Sequence, residues 1–174
     1  MSFARTFTAA ALFALGAGAA LAQDAPATVV DVAVGSPDHT TLVQAVTAAE
    51  LAGTLQGEGP FTVFAPTNGA FAALPAGALD DLLKPENKDR LAAVLGCHVV
   101  EGKAMAADVA KLIADNNGSA EITTLGNCRL TATSMDGKVM IGGADGTPVT
   151  VTAADLQAGN GVVHVIDGVL LPAS

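Results

Sequence analysis

Cations, nucleophilic motifs and aromatic rings are all in short supply in this chain of 174 residues. Eight Lys and Arg stand against 17 Asp and Glu, a formal net charge of −9. So acidic a surface repels phosphate backbones and anionic lipid, which argues against a nucleic-acid partner. Serine is sparse after the N-terminal stretch (Ser36, Ser119, Ser134, Ser174), and none stands in a G-x-S-x-G elbow. No glycine pattern matches a Walker or Rossmann phosphate loop, so the glycines read as turn residues. The stretch "DGKVMIGGADG" from Asp136 has acids and glycines without the spacing of a calcium loop. The chain is read as a non-enzyme without a cofactor.

Tryptophan and tyrosine are absent, and phenylalanine occurs six times. Phe3 precedes Arg5, and Phe7 and Phe13 fall in the apolar N-terminal run from Phe7 to Leu21. The other three, Phe61, Phe64 and Phe71, all fall inside "FTVFAPTNGAFAALP", residues 61–75.

The N-terminal run follows one positive charge, Arg5, and ends in Ala20-Leu21-Ala22, a small-x-small site. This is the layout of a secretory signal peptide cleaved after Ala22. The alternative is an uncleaved anchor, but the run falls short of the ~20 apolar residues of a spanning helix. No cysteine at the cut points to a lipid anchor. The expected organisation is therefore a signal peptide at 1–22, a short leader at 23–28 and one domain at 29–174. The exported chain would be periplasmic or extracellular, with no membrane insertion after cleavage.

Val29 to Val34 reads as a strand or docking segment. Ser36-Pro37 opens a helix with an apolar stripe at Leu42, Val43, Val46 and Ala49, ended by Gly57 and Gly59. Phe61 to Pro66 reads as a strand covered on both faces, because Phe61 and Val63 oppose Thr62 and Phe64 and both sets are largely apolar. Thr67 or Asn68 caps the next helix, whose inner face carries Phe71 and Leu74. Helical turns at Asp80 to Leu83 and from Pro85 follow, then a strand from Cys97 and a helix from Met105. The second half switches to period two. Asp136-Gly137 is a hairpin signal that sets Ser134 beside Val139 and Ala132 beside Ile141. "AADLQAG" reads as a brief helical insert, and "GVVHVIDGVLLP" as the last strand. Helices first and strands later make an α+β chain.

His39 reads as exposed. His98 and His164 sit among strand apolars, as buried neutral imidazoles do. The sharper alternative is a metal site from His98, His164 and Asp167, for which no recognised ligand spacing exists. Cys97 and Cys128, even in number in an exported chain, favour a disulfide worth about 3 kcal/mol. The alternative is two buried thiols that never meet. Both are read as pointing inward from separate strands.

"FTVFAPTNGAFAAL" resembles the first signature motif of fasciclin-type (FAS1) domains, and "NGVVHVIDGVLLP" from Asn160 resembles the second. Between them "VLGCHVVEGK" resembles the segment carrying the family's Tyr-His pair, with Cys97 at the tyrosine and His98 at the histidine. The resemblance runs from about Val29 to Pro172. It implies a β-wedge of about seven strands with several short helices, in which the two signature strands are neighbours. Phe61, Val63, Phe64, Pro66, Thr67, Asn68, Phe71, His98, His164 and Asp167 then serve the fold. His98 is expected to hydrogen-bond near Thr67 or Asn68. The resemblance also implies an interaction module for cell adhesion or matrix contact, with a protein or glycan partner. Candidate contact surfaces are the loop at Ala114 to Ser119 and the rim near Lys103; loss of the tyrosine weakens the case for integrin-type binding. The alternative is a periplasmic small-ligand or metal-binding protein.

Overall fold

The computed structural model describes residues 27–172 other than 58 and 144, so the expected signal peptide at 1–22 lies outside the described residues. Helix starts follow local chemistry. The Thr28 side chain accepts from the Asp31 N–H at 3.3 Å while the Thr28 N–H donates to Asp31 Oδ2 at 2.8 Å, a reciprocal capping box. That cap makes Val29–Val34 a helix, α1, and not the strand or docking segment the sequence suggests. A six-residue, largely apolar segment is too short for periodicity to separate the two. Pro37–His39 forms one 3₁₀ turn, before which Ser36 makes no side-chain cap. Helix α2 (Thr40–Ala48) follows, and a separate short helix α3 (Ala52–Leu55) precedes Gly57, where the sequence suggests one longer helix running up to the glycines.

Strand β1 is Phe61–Pro66, and the helices α4 (Asn68–Ala72), α5 (Ala78–Leu82) and α6 (Lys88–Gly96) come next. Strand β2 (Val99–Glu101) is shorter than expected: Cys97 is the C-cap of α6, and His98 lies between helix and strand. Helix α7 (Ala106–Asp115) leads into β3 (Ser119–Thr123), β4 (Arg129–Met135) and β5 (Lys138–Gly142). The β4–β5 hairpin has the register the alternation predicts, Ser134 opposite Val139 and Ala132 opposite Ile141. Its turn residues Asp136 and Gly137 have φ of 52° and 76°, the left-handed pair of a two-residue hairpin turn.

Two strands complete the sheet, β6 (Pro148–Ala158) and β7 (Gly161–Ile166). "AADLQAG" is therefore strand rather than helical insert. Register shifts between Val151 and Ala153 and between Ala153 and Leu156 break its period of two, and Asp155 sits at φ 59°. Bulges of this kind bend a strand and sharpen its twist. Bent in this way, β6 pairs with β5 through its first residues and with β7 through the rest.

The strand order is β2-β1-β7-β6-β5-β4-β3, with β1 and β7 parallel and every other neighbouring pair antiparallel. The seven strands fold into a nearly closed wedge with the short helices packed on it, an α+β architecture. On one side Val63, Ala65 and Val163 pack with Leu42, Phe71 and Leu91 of the helices. On the other, Phe64 and Ile166 meet Val109, Leu130 and Ile141 inside the wedge. A strand covered on both faces cannot alternate, which is why "FTVFAP" does not. No helix among the described residues is long and apolar enough to cross a membrane.

Candidate functional site

The two signature segments meet along β1 and β7, in register from Phe61 opposite Gly161 to Pro66 opposite Ile166. Their contact is close enough to dictate sequence. A Cβ on Gly161 would fall inside the Phe61 backbone, so only glycine fits there. Val63, Phe64, Pro66 and Phe71 are buried, whereas Phe61 is half-buried at the strand's start. Thr67 continues the ladder through its N–H to the Ile166 carbonyl at 3.2 Å. Its hydroxyl accepts from the Ala70 N–H at 3.2 Å, which caps α4.

Asn68 caps a helix other than its own. The α2 N-cap position, His39, makes no side-chain cap. Instead Asn68 Oδ1 accepts from the Thr41 N–H at 3.1 Å and the Thr40 hydroxyl at 3.2 Å, while its Nδ2 donates to the Pro37 carbonyl at 3.1 Å. One amide thus holds the start of α2 against the end of β1.

His98 does not reach Thr67 or Asn68. Its Nε2 accepts from the Leu170 N–H at 2.9 Å, which leaves Nδ1 as the protonated nitrogen donating to the Val94 carbonyl at 2.7 Å. Its own carbonyl accepts from the Phe64 N–H at 2.7 Å. Complete burial pushes the imidazole pKa down to about 4, against a weaker upward pull from the Val94 carbonyl. The ring is therefore neutral at physiological pH and joins α6 to the segment after β7.

His164 uses the opposite tautomer. The Asp155 N–H donates to Nδ1 at 3.3 Å, so Nε2 carries the proton and donates to the Ala104 carbonyl at 2.8 Å. Its ring stacks on Phe64 with centroids 5.6 Å apart. Asp167 Oδ1 accepts from the Thr150 N–H at 2.9 Å. Each of the three groups that could have shared a metal is thus turned to a different backbone partner. No set of three His, Cys, Asp or Glu side chains is gathered among the described residues.

Cys97 and Cys128 are joined, with Cα atoms 5.2 Å apart. Neither lies within a strand: Cys97 ends α6 and Cys128 immediately precedes β4. Two glycines make the approach possible. A Cβ on Gly96 would come within 2.9 Å of the Gly126 Cα, and the Gly126 N–H donates to the Gly96 carbonyl at 3.0 Å.

His39, expected to be exposed, is only 4% accessible. Neither ring nitrogen has a hydrogen-bond partner among the described residues, and burial lowers its pKa, opposed by the charge of Asp38 and more weakly by the Ala65 carbonyl. Sequence reasoning also missed Asn160, whose side chain joins three remote segments. Its Oδ1 accepts from the Val29 N–H at 2.9 Å, and its Nδ2 donates to the carbonyls of Leu55 at 2.6 Å and Gly57 at 3.3 Å. Its place directly before Gly161, at the mouth of a tight β6–β7 turn, was the available signal. Thr62 was missed too: its buried hydroxyl donates to Gly102 at 2.7 Å and accepts from Ala104 at 2.8 Å.

A wedge centred on two parallel signature strands, with its polar side chains turned to backbone partners, is the architecture of a FAS1 domain. The family model described as "Fasciclin domain" matches residues 37–172, and the chain belongs to that family. The chain is 51% identical over 151 residues to "Protein sll1483" of Synechocystis, covering 87% of this chain and 77% of that one. It is 37% identical over 145 residues to the transforming growth factor-beta-induced protein ig-h3 of Sus scrofa, covering 83% of this chain and spanning only 19% of that protein. Among solved structures, a FAS1 domain pair from the insect cell adhesion molecule fasciclin I superposes with a TM-score of 0.74 at 19% identity, covering 83% of this chain and 51% of that one.

Proposed function

We propose that this chain is an exported, non-enzymatic interaction module that contacts a protein or glycan on a cell surface or matrix. In this reading residues 1–22 are a cleaved signal peptide, residues 23–28 a leader and residues 29–174 one fasciclin domain. The observation that carries it is the commitment of the signature residues to backbone partners. His98, His164, Asn68 and Asp167 each hold a backbone group in place, so they serve the scaffold and leave the outer surface to recognition. Membership of the fasciclin family, and the name of fasciclin I as a cell adhesion molecule, point the same way.

Two surfaces are the best candidates for contact. At the end of α7, Asn117 and Gly118 form an exposed left-handed turn, one helical turn beyond the exposed apolar side chain of Leu112. On another face Lys103 lines an open cleft of about 570 Å³ with Gln56, Pro60 and Asn160. The test is binding of the labelled protein to intact cells, envelope proteins and a glycan array. Saturable binding that Leu112→Glu or Lys103→Glu abolishes supports the reading. Absence of saturable binding to all three contradicts it.

A further inference from the structure

A second opening lies inside the wedge, between α7, the β4–β5 hairpin and the bent strand β6. It is a cavity of about 210 Å³. Val109 of α7, Val139 and Ile141 of β5 and Val151 of β6 give it apolar walls, and the stacked rings of Phe64 and His164 line it as well. His164 brings no free hydrogen-bonding group to it, since both ring nitrogens already have backbone partners.

The one charged side chain of the lining is Lys138, exposed beside the hairpin turn. Among the described residues Lys138 makes no ion pair, and no Asp or Glu lines the cavity. In a chain of net charge −9 the lining thus carries a cation and no carboxylate, with Asp136 two residues away in the exposed turn. Two acids beside the start of α7 are turned to backbone: Asp155 Oδ1 of β6 accepts from the Ala106 N–H at 2.8 Å, and Asp108 Oδ2 from the Met105 N–H at 3.3 Å.

Size and charge together select a ligand class. An apolar cavity of roughly 150 Å³ holds benzene, and pockets for drug-sized ligands begin near ~300 Å³. We propose that this cavity binds a small organic acid, one apolar ring or equivalent aliphatic body with a carboxylate that pairs with Lys138. The site is separate from the outer surfaces assigned to partner contact and does not depend on that assignment.

Isothermal titration calorimetry on the folded protein tests this with three probes of equal size: phenylpropanoate, phenylpropanol and phenylpropylammonium. The acid is expected to bind with Kd on the order of 0.1–1 mM, roughly twofold to fivefold tighter than the alcohol, with the ammonium weakest. Lys138→Gln removes the preference for the acid while the alcohol still binds. Ala154→Phe, which fills the cavity from the β6 side, removes binding of both, with circular dichroism and melting temperature reporting an intact fold. Equal binding of all three probes, no binding by any, or an acid preference that survives Lys138→Gln overturns the proposal.

Discussion

The backbone N–H of Leu170 donates to the imidazole Nε2 of His98, 72 residues away, at 2.9 Å. Both residues are buried, and the same histidine ties its Nδ1 to α6 and its carbonyl to β1. One neutral ring thus couples the C-terminal segment to the centre of the fold.

That coupling predicts a pH dependence of stability. His98 has a folded-state pKa of about 4 against 6.5 for a free imidazole. Between those values the unfolded chain binds the extra proton, so stability rises with pH there. The contribution is whole above about pH 6.5 and is lost as pH falls toward about 4, by about 3 kcal/mol at most. Urea unfolding at pH 7 and at pH 4.5 checks this, and His98→Gln flattens the slope between them. NMR titration of the ring places its midpoint well below the free value.

The disulfide gives a second outcome. Replacing both Cys97 and Cys128 with alanine lowers stability by about 3–4 kcal/mol in the loop-entropy model, for a separation of 31 residues. Thiol labelling of the exported protein finds no reactive cysteine before reduction.

Phe64 and Phe61 separate core from edge. Phe64 is buried at 2% accessibility against Ile166 and the His164 ring, so Phe64→Ala costs about 3–5 kcal/mol. Phe61 is half-buried, and its truncation costs distinctly less. Paired urea titrations order the two.

Asn68 tests capping across elements. Asn68→Ala strips the first turn of α2 of its acceptor and is expected to cost about 1–2 kcal/mol. Hydrogen exchange localises the loss to the amide of Thr41 and its neighbours rather than to α4, which Thr67 caps on its own.

Where the sequence carried a local periodic signal, the fold was legible. The β4–β5 register follows from alternation around Asp136-Gly137, and the neighbouring signature strands follow from two motifs that match one family. What escaped is non-local. Helix α1 depends on a two-residue cap, β6 hides behind bulges that erase its alternation, and His39 is covered by elements distant in sequence. At the site, burial of His98 and His164 was readable from apolar neighbours. Their partners were not, because Leu170, Ala104 and Asp155 come from segments that only tertiary folding brings near.

The fold and its site both depend on β1 and β7 lying side by side, parallel, inside the wedge. A NOESY spectrum of the isotopically labelled protein reads this directly. It is predicted to show backbone contacts between the β1 residues Val63 and Phe64 and the β7 residues Val163 and His164, in the register given by those pairs. Backbone contacts placing β7 antiparallel to β1, or against a strand other than β1 and β6, would contradict it.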